Sequence, residues 1–91
     1  MKSFRHTGGL TWDRVDDRVV VLDADGSSMI TLNPIASILW PELDRQASAE
    51  CLVRMLSSRF TDVSTEQLRH DVDAFLDELL SEGSIEVAEP A

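Results

Sequence analysis

Ser28-Met29-Ile30-Thr31-Leu32-Asn33-Pro34 is the stretch on which the reading of this chain turns. Met29 to Leu32 is β-branched and apolar enough for a strand. Asn33 is a good helix N-cap, and Pro34 suits the first helical position, where a missing N–H costs nothing. A strand therefore ends where the first helix begins, and the chain divides there into a β-rich first third and a helical remainder. A strand made last in a small sheet has one paired neighbour, so its other edge offers N–H and C=O groups to an extended peptide.

Upstream, Leu10 to Val15 alternates as a first strand and Asp16-Asp17 serves as a turn. Arg18 to Asp23, with Val19-Val20-Val21-Leu22 at its centre, is the clearest strand. Its unbroken apolar run predicts cover on both faces. Gly26, in Ala24-Asp25-Gly26, supplies positive φ for a turn that makes the second and third strands an antiparallel hairpin. Residues 1–9 lack periodicity and carry Gly8-Gly9, which reads as a flexible arm.

Downstream, the period becomes helical. Ile35, Ile38, Leu39 and Leu43 fall on one side with Trp40 beside them, and Pro41 predicts a stop or kink near Trp40. Asp44 to Ser48 is a connector. Ser48 caps a second helix carrying Leu52, Val53, Leu56 and Phe60, which ends at Arg59 or Phe60. Ser64 and Gln67 stand at capping-box spacing, with Val63 and Leu68 placed as a hydrophobic staple. Leu68, Val72, Phe75, Leu76, Leu79 and Leu80 then form one stripe over about four turns. Gly83 supplies a left-handed stop. Ile85 to Val87 adds a short extended segment, and the domain is bounded at 10–87 with 88–91 as a tail. The fold class is α+β: a three-stranded antiparallel sheet followed by three helices.

With 91 residues the chain forms one domain whose apolar side chains are mostly committed to a core, leaving little for an enclosed active site. It is 43% hydrophobic and 27% charged, which is ordinary for a water-soluble protein. No apolar run reaches membrane-spanning length, and no apolar segment follows the basic start, so the expected location is cytoplasmic. The formal charge of −9, from 17 acids against 8 bases, opposes binding to a phosphate backbone and favours a cationic partner.

Candidate catalytic groups are sparse. Cys51 is the only cysteine, excluding an internal disulfide, and lacks a catalytic-looking histidine; flanked by helical apolar positions, it reads as a small buried or half-buried filler. His6 and His70 lie in unlike contexts. His70 and Asp71 point about 100° apart on a helix, with no third metal ligand at useful spacing. Glycine loops for phosphates are missing. No enzyme activity, metal or cofactor is expected. The acids of the third helix, Glu66, Asp71, Asp73, Asp77, Glu78 and Glu82 against the single Arg69, form either a solvated face or a selective rim beside a peptide groove.

The order and spacing of Val21-Leu22-Asp23, Leu32-Asn33, Ile38-Leu39-Trp40, Leu43-Asp44, Asp71-Val72, Phe75-Leu76, Leu79 and Gly83-Ser84-Ile85 resemble the PqqD family. The likeness covers about Trp12 to Val87. These are RiPP recognition elements, winged-helix-like domains that hold the leader segment of a ribosomally made precursor peptide for modifying enzymes. The resemblance implies a leader that adds along the third strand and lies against the third helix. By position, the receiving edge is Ser28, Met29, Ile30, Thr31 and Leu32, and the facing wall Leu68, Asp71, Val72 and Phe75. Strand alternation allows only one of the sets Met29/Thr31 and Ile30/Leu32 to face inwards. Pro41, and Arg45 where many relatives have glycine, depart from the pattern at the first helix and its exit, away from the cleft. The implied partners are a leader peptide and a maturation enzyme. Stand-alone members of this size resemble the lasso peptide leader-binding proteins, which work with a leader protease, and the chaperone of pyrroloquinoline quinone synthesis, which works with a radical SAM enzyme; the lasso type is preferred.

Two other functions compete with this one. A scaffold subunit without a peptide guest would lack affinity for a leader. A winged-helix DNA-binding regulator would need cations on its third helix, which carries one. The exposed strand edge leaves monomer and weak dimer open.

Overall fold

The computed structural model describes residues 2–88. Its elements run β1 (Ser3–His6), β2 (Thr11–Val15), β3 (Arg18–Leu22), β4 (Met29–Thr31), α1 (Pro34–Leu39), a 3-10 helix (Trp40–Arg45), β5 (Ala47–Ser48), α2 (Ala49–Arg59), α3 (Thr65–Glu82) and β6 (Ile85–Ala88). The α+β class, the meander and the three helices stand as expected. The meander is the antiparallel sheet β2-β3-β4, with Val21 opposite both Trp12 and Ile30.

A second sheet, ordered β5-β1-β6, corrects the expectation of a flexible arm over 1–9. Ser3 and Phe4 pair with Ser48 and Ala47 on one side, and Ser3 to His6 pair with Ala88 to Ile85 on the other. Phe4 is buried in the core. The connector before Ser48 likewise contains a two-residue strand, and Ala88 belongs to β6 rather than to a tail. The remaining tail positions, 89–91, lie outside the described residues.

Local chemistry sets the helix ends. The Asn33 side chain accepts from the Ala36 N–H at 2.8 Å, and Pro34 opens α1. Ser48 accepts from the Cys51 N–H and Ser64 from the Gln67 N–H, each at 3.2 Å. The Gln67 amide does not complete a capping box; it donates to Asp71 Oδ1 at 3.0 Å. Val63 stays exposed although Leu68 is buried. Gly83, at φ 78°, closes α3 in the left-handed region, where a Cβ would be strained. The α-helix ends at Leu39, as Pro41 predicts, and a 3-10 helix takes over from Trp40.

The core is continuous from Phe4 through Val19, Val21, Leu39, Trp40 and Leu43 to Leu52, Leu56, Leu68, Val72 and Leu79. Strand β3 departs from its expected two-sided cover: Val19 and Val21 are buried, Val20 is half-buried, and Arg18 and Leu22 are exposed. In α1, Ala36, Ser37 and Leu39 are buried while Ile35 and Ile38 are only partly so. Ser37 is fully buried because it works in the sheet: its hydroxyl accepts from the Val19 N–H at 2.9 Å and donates to the Leu32 carbonyl at 3.3 Å. That hydroxyl carries the β3-β4 ladder into the first turn of α1 and fixes where the helix leaves the sheet. Cys51 also corrects its expectation: it is exposed, and the Ser48 hydroxyl beside it lowers the thiol pKa.

Candidate functional site: an open strand edge facing a helix

Strand β4 has β3 on one side and no strand on the other among the described residues. The Leu32 N–H donates to the Val19 carbonyl at 2.9 Å, and the Ser28 carbonyl accepts from the Asp23 N–H at 3.2 Å. Because backbone direction alternates along a strand, Ser28, Ile30 and Leu32 pair inwards. Met29 and Thr31 therefore turn their N–H and C=O groups outwards. Side chains follow the same alternation: Leu32 is buried and Ile30 partly buried, whereas Thr31 is exposed and Met29 is 67% exposed. Of the two sets that the sequence left open, Ile30/Leu32 faces inwards.

The other margin of the sheet is partly capped by its own side chain. The same alternation turns the Arg14 N–H out from β2, and the Asp13 carboxylate accepts it at 2.8 Å. Charged Asp13 and Arg14 stand on that strand, while β4 carries no charge. Charge on an edge discourages strand addition, so the two margins are unequal and β4 is the more receptive.

Three joined concavities follow β4 and α3, which run in opposite directions. One, of about 510 Å³, lies between Met29-Ile30 and the Glu82-Gly83 end of α3, with Leu10 and Val21 on its floor. A second, of about 150 Å³, lies between Ile30 to Asn33 and Phe75, Glu78 and Leu79. A third, of about 330 Å³, lies between Pro34 to Ala36 and Asp71, Ala74 and Phe75. Shared walls at Ile30, Asn33, Phe75, Glu78 and Glu82 make them one groove.

Of the residues expected to form the facing wall, Asp71 and Phe75 line this groove. Leu68 and Val72 do not: they are 1% and 0% exposed and support the wall from behind. The wall instead continues through Ala74, which the sequence reading did not include, and through Glu78 and Glu82, which it left open as a solvated face or a selective rim. Positions 71, 75, 78 and 82 share one helical face at steps of four, three and four, and that periodicity was the available signal. Glu78 and Glu82 form no ion pair among the described residues, whereas Glu50 pairs with Arg69 and Glu86 with Arg5. The only cation of α3 is thus engaged with α2, which leaves no free Lys or Arg on this helix for a nucleic-acid phosphate.

A further concavity of about 480 Å³, floored by Phe4, Leu76 and Leu80 and edged by Glu50, Asp73 and Asp77, lies on the far flank of α3. Phe4 there belongs to β1, which is paired on both sides, so no strand can be added at that point. Among the described residues no group of three or more His, Cys, Asp or Glu could hold a metal ion. No helix among them is long and apolar enough to cross a membrane.

The site is thus an uncharged open strand edge beside an acidic helix wall in a small α+β domain, the kind of edge to which an extended peptide can add as a strand. The family model described as "Coenzyme PQQ synthesis protein D (PqqD)" matches residues 18–85, and the chain belongs to that family. No curated protein sequence matches it. Two solved structures share the fold. A structure of TbiB1 in complex with the TbiA(beta) leader peptide is 20% identical with a TM-score of 0.82, covering 94% of this chain and 99% of the other. A lasso peptide synthetase B1 complexed with the leader peptide is 22% identical with a TM-score of 0.79, covering 91% of this chain and 96% of the other.

Proposed function

We propose that this protein binds the leader segment of a ribosomally synthesised precursor peptide by strand addition to β4 and presents it to a maturation enzyme, without itself catalysing a reaction. The observation that carries the reading is the inequality of the sheet margins. Asp13 occupies the outward N–H of Arg14 on β2, while Met29 and Thr31 on β4 face a groove with their backbone groups open. Main-chain pairing there supplies affinity, and the concavities along α3 receive alternate guest side chains. Ser28, Ile30 and Leu32 hold the edge to β3; Asp71 and Phe75 form the wall; Leu68 and Val72 set its position. Membership of the PqqD family and the leader peptides held by both structural neighbours support the same reading. The lasso peptide synthetase B1 neighbour favours the lasso type, for which the resemblance implies a leader protease as the partner enzyme; a radical SAM enzyme, implied by the resemblance to the pyrroloquinoline quinone chaperone, is the other choice.

The test is a backbone-amide NMR titration with the leader half of a precursor peptide encoded beside this chain. The largest shifts are expected at Met29 and Thr31 and along Asp71 to Glu82. A well-chosen leader that moves neither segment would remove the leader-binding reading and favour a scaffold subunit without a guest.

A further inference from the structure

The groove wall carries a spacing that a guest strand can read. Glu82, Glu78 and Ala74 succeed one another at steps of four, about 6 Å each along the helix axis. Side chains on one face of a strand recur every two residues, at about 6.7 Å. An extended guest on β4 therefore keeps step with this row over three of its own inward-facing positions. The first two stations are carboxylates without ion-pair partners among the described residues. Ala74, the small residue in the row, leaves the concavity of about 330 Å³ open between Ile35 and Phe75. No Lys or Arg lines any part of the groove. Two further acids line it: Asp71 is already held by the Gln67 amide at 3.0 Å, and Asp23, outside the helical row, accepts from the Ser27 hydroxyl at 3.3 Å.

We infer that the guest of this groove carries Lys or Arg at two positions separated by one residue, seated on Glu82 and Glu78, and an apolar side chain two residues further on, seated between Ala74, Phe75 and Ile35. This deepens the peptide-binding reading and rests on it. Glu78 and Glu82 are then specificity-determining residues, distinct from Asp73 and Asp77 on the far flank of the same helix. Charge alone does not define the guest, because the protein is negative nearly everywhere; the two-residue spacing does.

The test uses fluorescein-labelled 12-residue peptides of a common threonine-rich background with a fixed core. The cores are Lys-Thr-Lys-Thr-Leu, its Gln-Thr-Gln-Thr-Leu and Glu-Thr-Glu-Thr-Leu counterparts, and Lys-Thr-Thr-Lys-Thr-Leu, which keeps the charge and breaks the spacing. Anisotropy at low salt should show the first bound about five- to tenfold more tightly than the glutamine peptide, as expected for two exposed ion pairs, with the shifted-spacing peptide falling between. The double variant Glu78→Lys/Glu82→Lys should reverse the preference in favour of the glutamate peptide. Asp73→Lys/Asp77→Lys, an equal change of charge on the other flank, should leave the ranking unaltered. Both pairs are solvent-exposed, so neither substitution endangers folding. Equal affinity for the lysine, glutamine and shifted peptides, with Met29 and Thr31 amides still responding, would overturn the charge spacing and leave strand addition standing. Failure of every peptide and of the natural leader to bind would overturn both.

Discussion

His6 shows how much one side chain can tie together. Its Nε2 lies 2.8 Å from the Trp40 carbonyl, its ring stacks on Trp40 with centroids 3.9 Å apart, and Trp12 meets it edge-on at 6.1 Å. The side chain thus joins β1, β2 and the 3-10 helix. Burial lowers its pKa from the ordinary 6.5, outweighing the Trp40 carbonyl and Asp44, which both favour the charged ring. The unfolded chain therefore takes up this proton at a higher pH than the folded one. The stability from a neutral His6 is complete above about pH 6.5 and declines as pH falls from there through the lower folded value. Melting temperatures between pH 8 and pH 5 should show this decline, and a His6→Asn variant should lose that part of the slope. Parallel curves would mean that His6 does not titrate between the two states. Neither the stack nor the link to Trp40 was legible in the sequence, where His6 stands 34 residues from its acceptor and no local pattern connects them.

Among the elements, β4 separates two roles within three residues. A proline at Met29 removes an outward donor that only a guest would use. At Ile30 it removes a donor that the ladder to β3 already uses, which destabilises the sheet itself. Met29→Pro should therefore weaken leader binding with little loss of melting temperature, and Ile30→Pro should lower the melting temperature first. Chemical denaturation paired with leader titration separates the two, and equal leader affinity in Met29→Pro and the parent would end the strand-addition model. The alternation itself could be read from sequence, but its phase could not: that was settled by the Leu32 bond to Val19 and by the Ser37 hydroxyl, both contacts across the fold. The caps at Asn33, Ser48, Ser64 and Gly83 were legible because each is decided within about four residues. Strands β1 and β5 were not, since a four-residue and a two-residue strand exist only through partners distant in sequence. The wall of the groove was half legible. Asp71 and Phe75 line it, but an apolar stripe does not announce where its buried centre ends and its exposed margin begins, so Leu68 and Val72 were taken for lining, while Glu78 and Glu82 were left open between a solvated face and a rim.

At the level of the molecule, a formal charge of −9 is distributed with purpose around α3. One flank presents Asp71, Glu78 and Glu82 to the groove, the other presents Asp73 and Asp77, and the single Arg69 is paired with Glu50. Attraction for a lysine-bearing leader should therefore fall with ionic strength, because the screening length shrinks from about 10 Å at 0.1 M to about 3 Å at 1 M. Several-fold weaker binding across that range is expected by isothermal titration, mostly through slower association at high salt. A flat response would return these acids to the role of a solvated face.

The pairing of Ser3 with Ala88 has a consequence of another kind. Antiparallel neighbours of this sort have Cα atoms about 5 Å apart, so the path into the domain and the path out of it open side by side. A host polypeptide can enter through β1 and leave through β6 across a gap no wider than a tight turn. The same architecture is therefore portable: it can travel alone, or be spliced into a surface loop of a larger protein without stretching either parent.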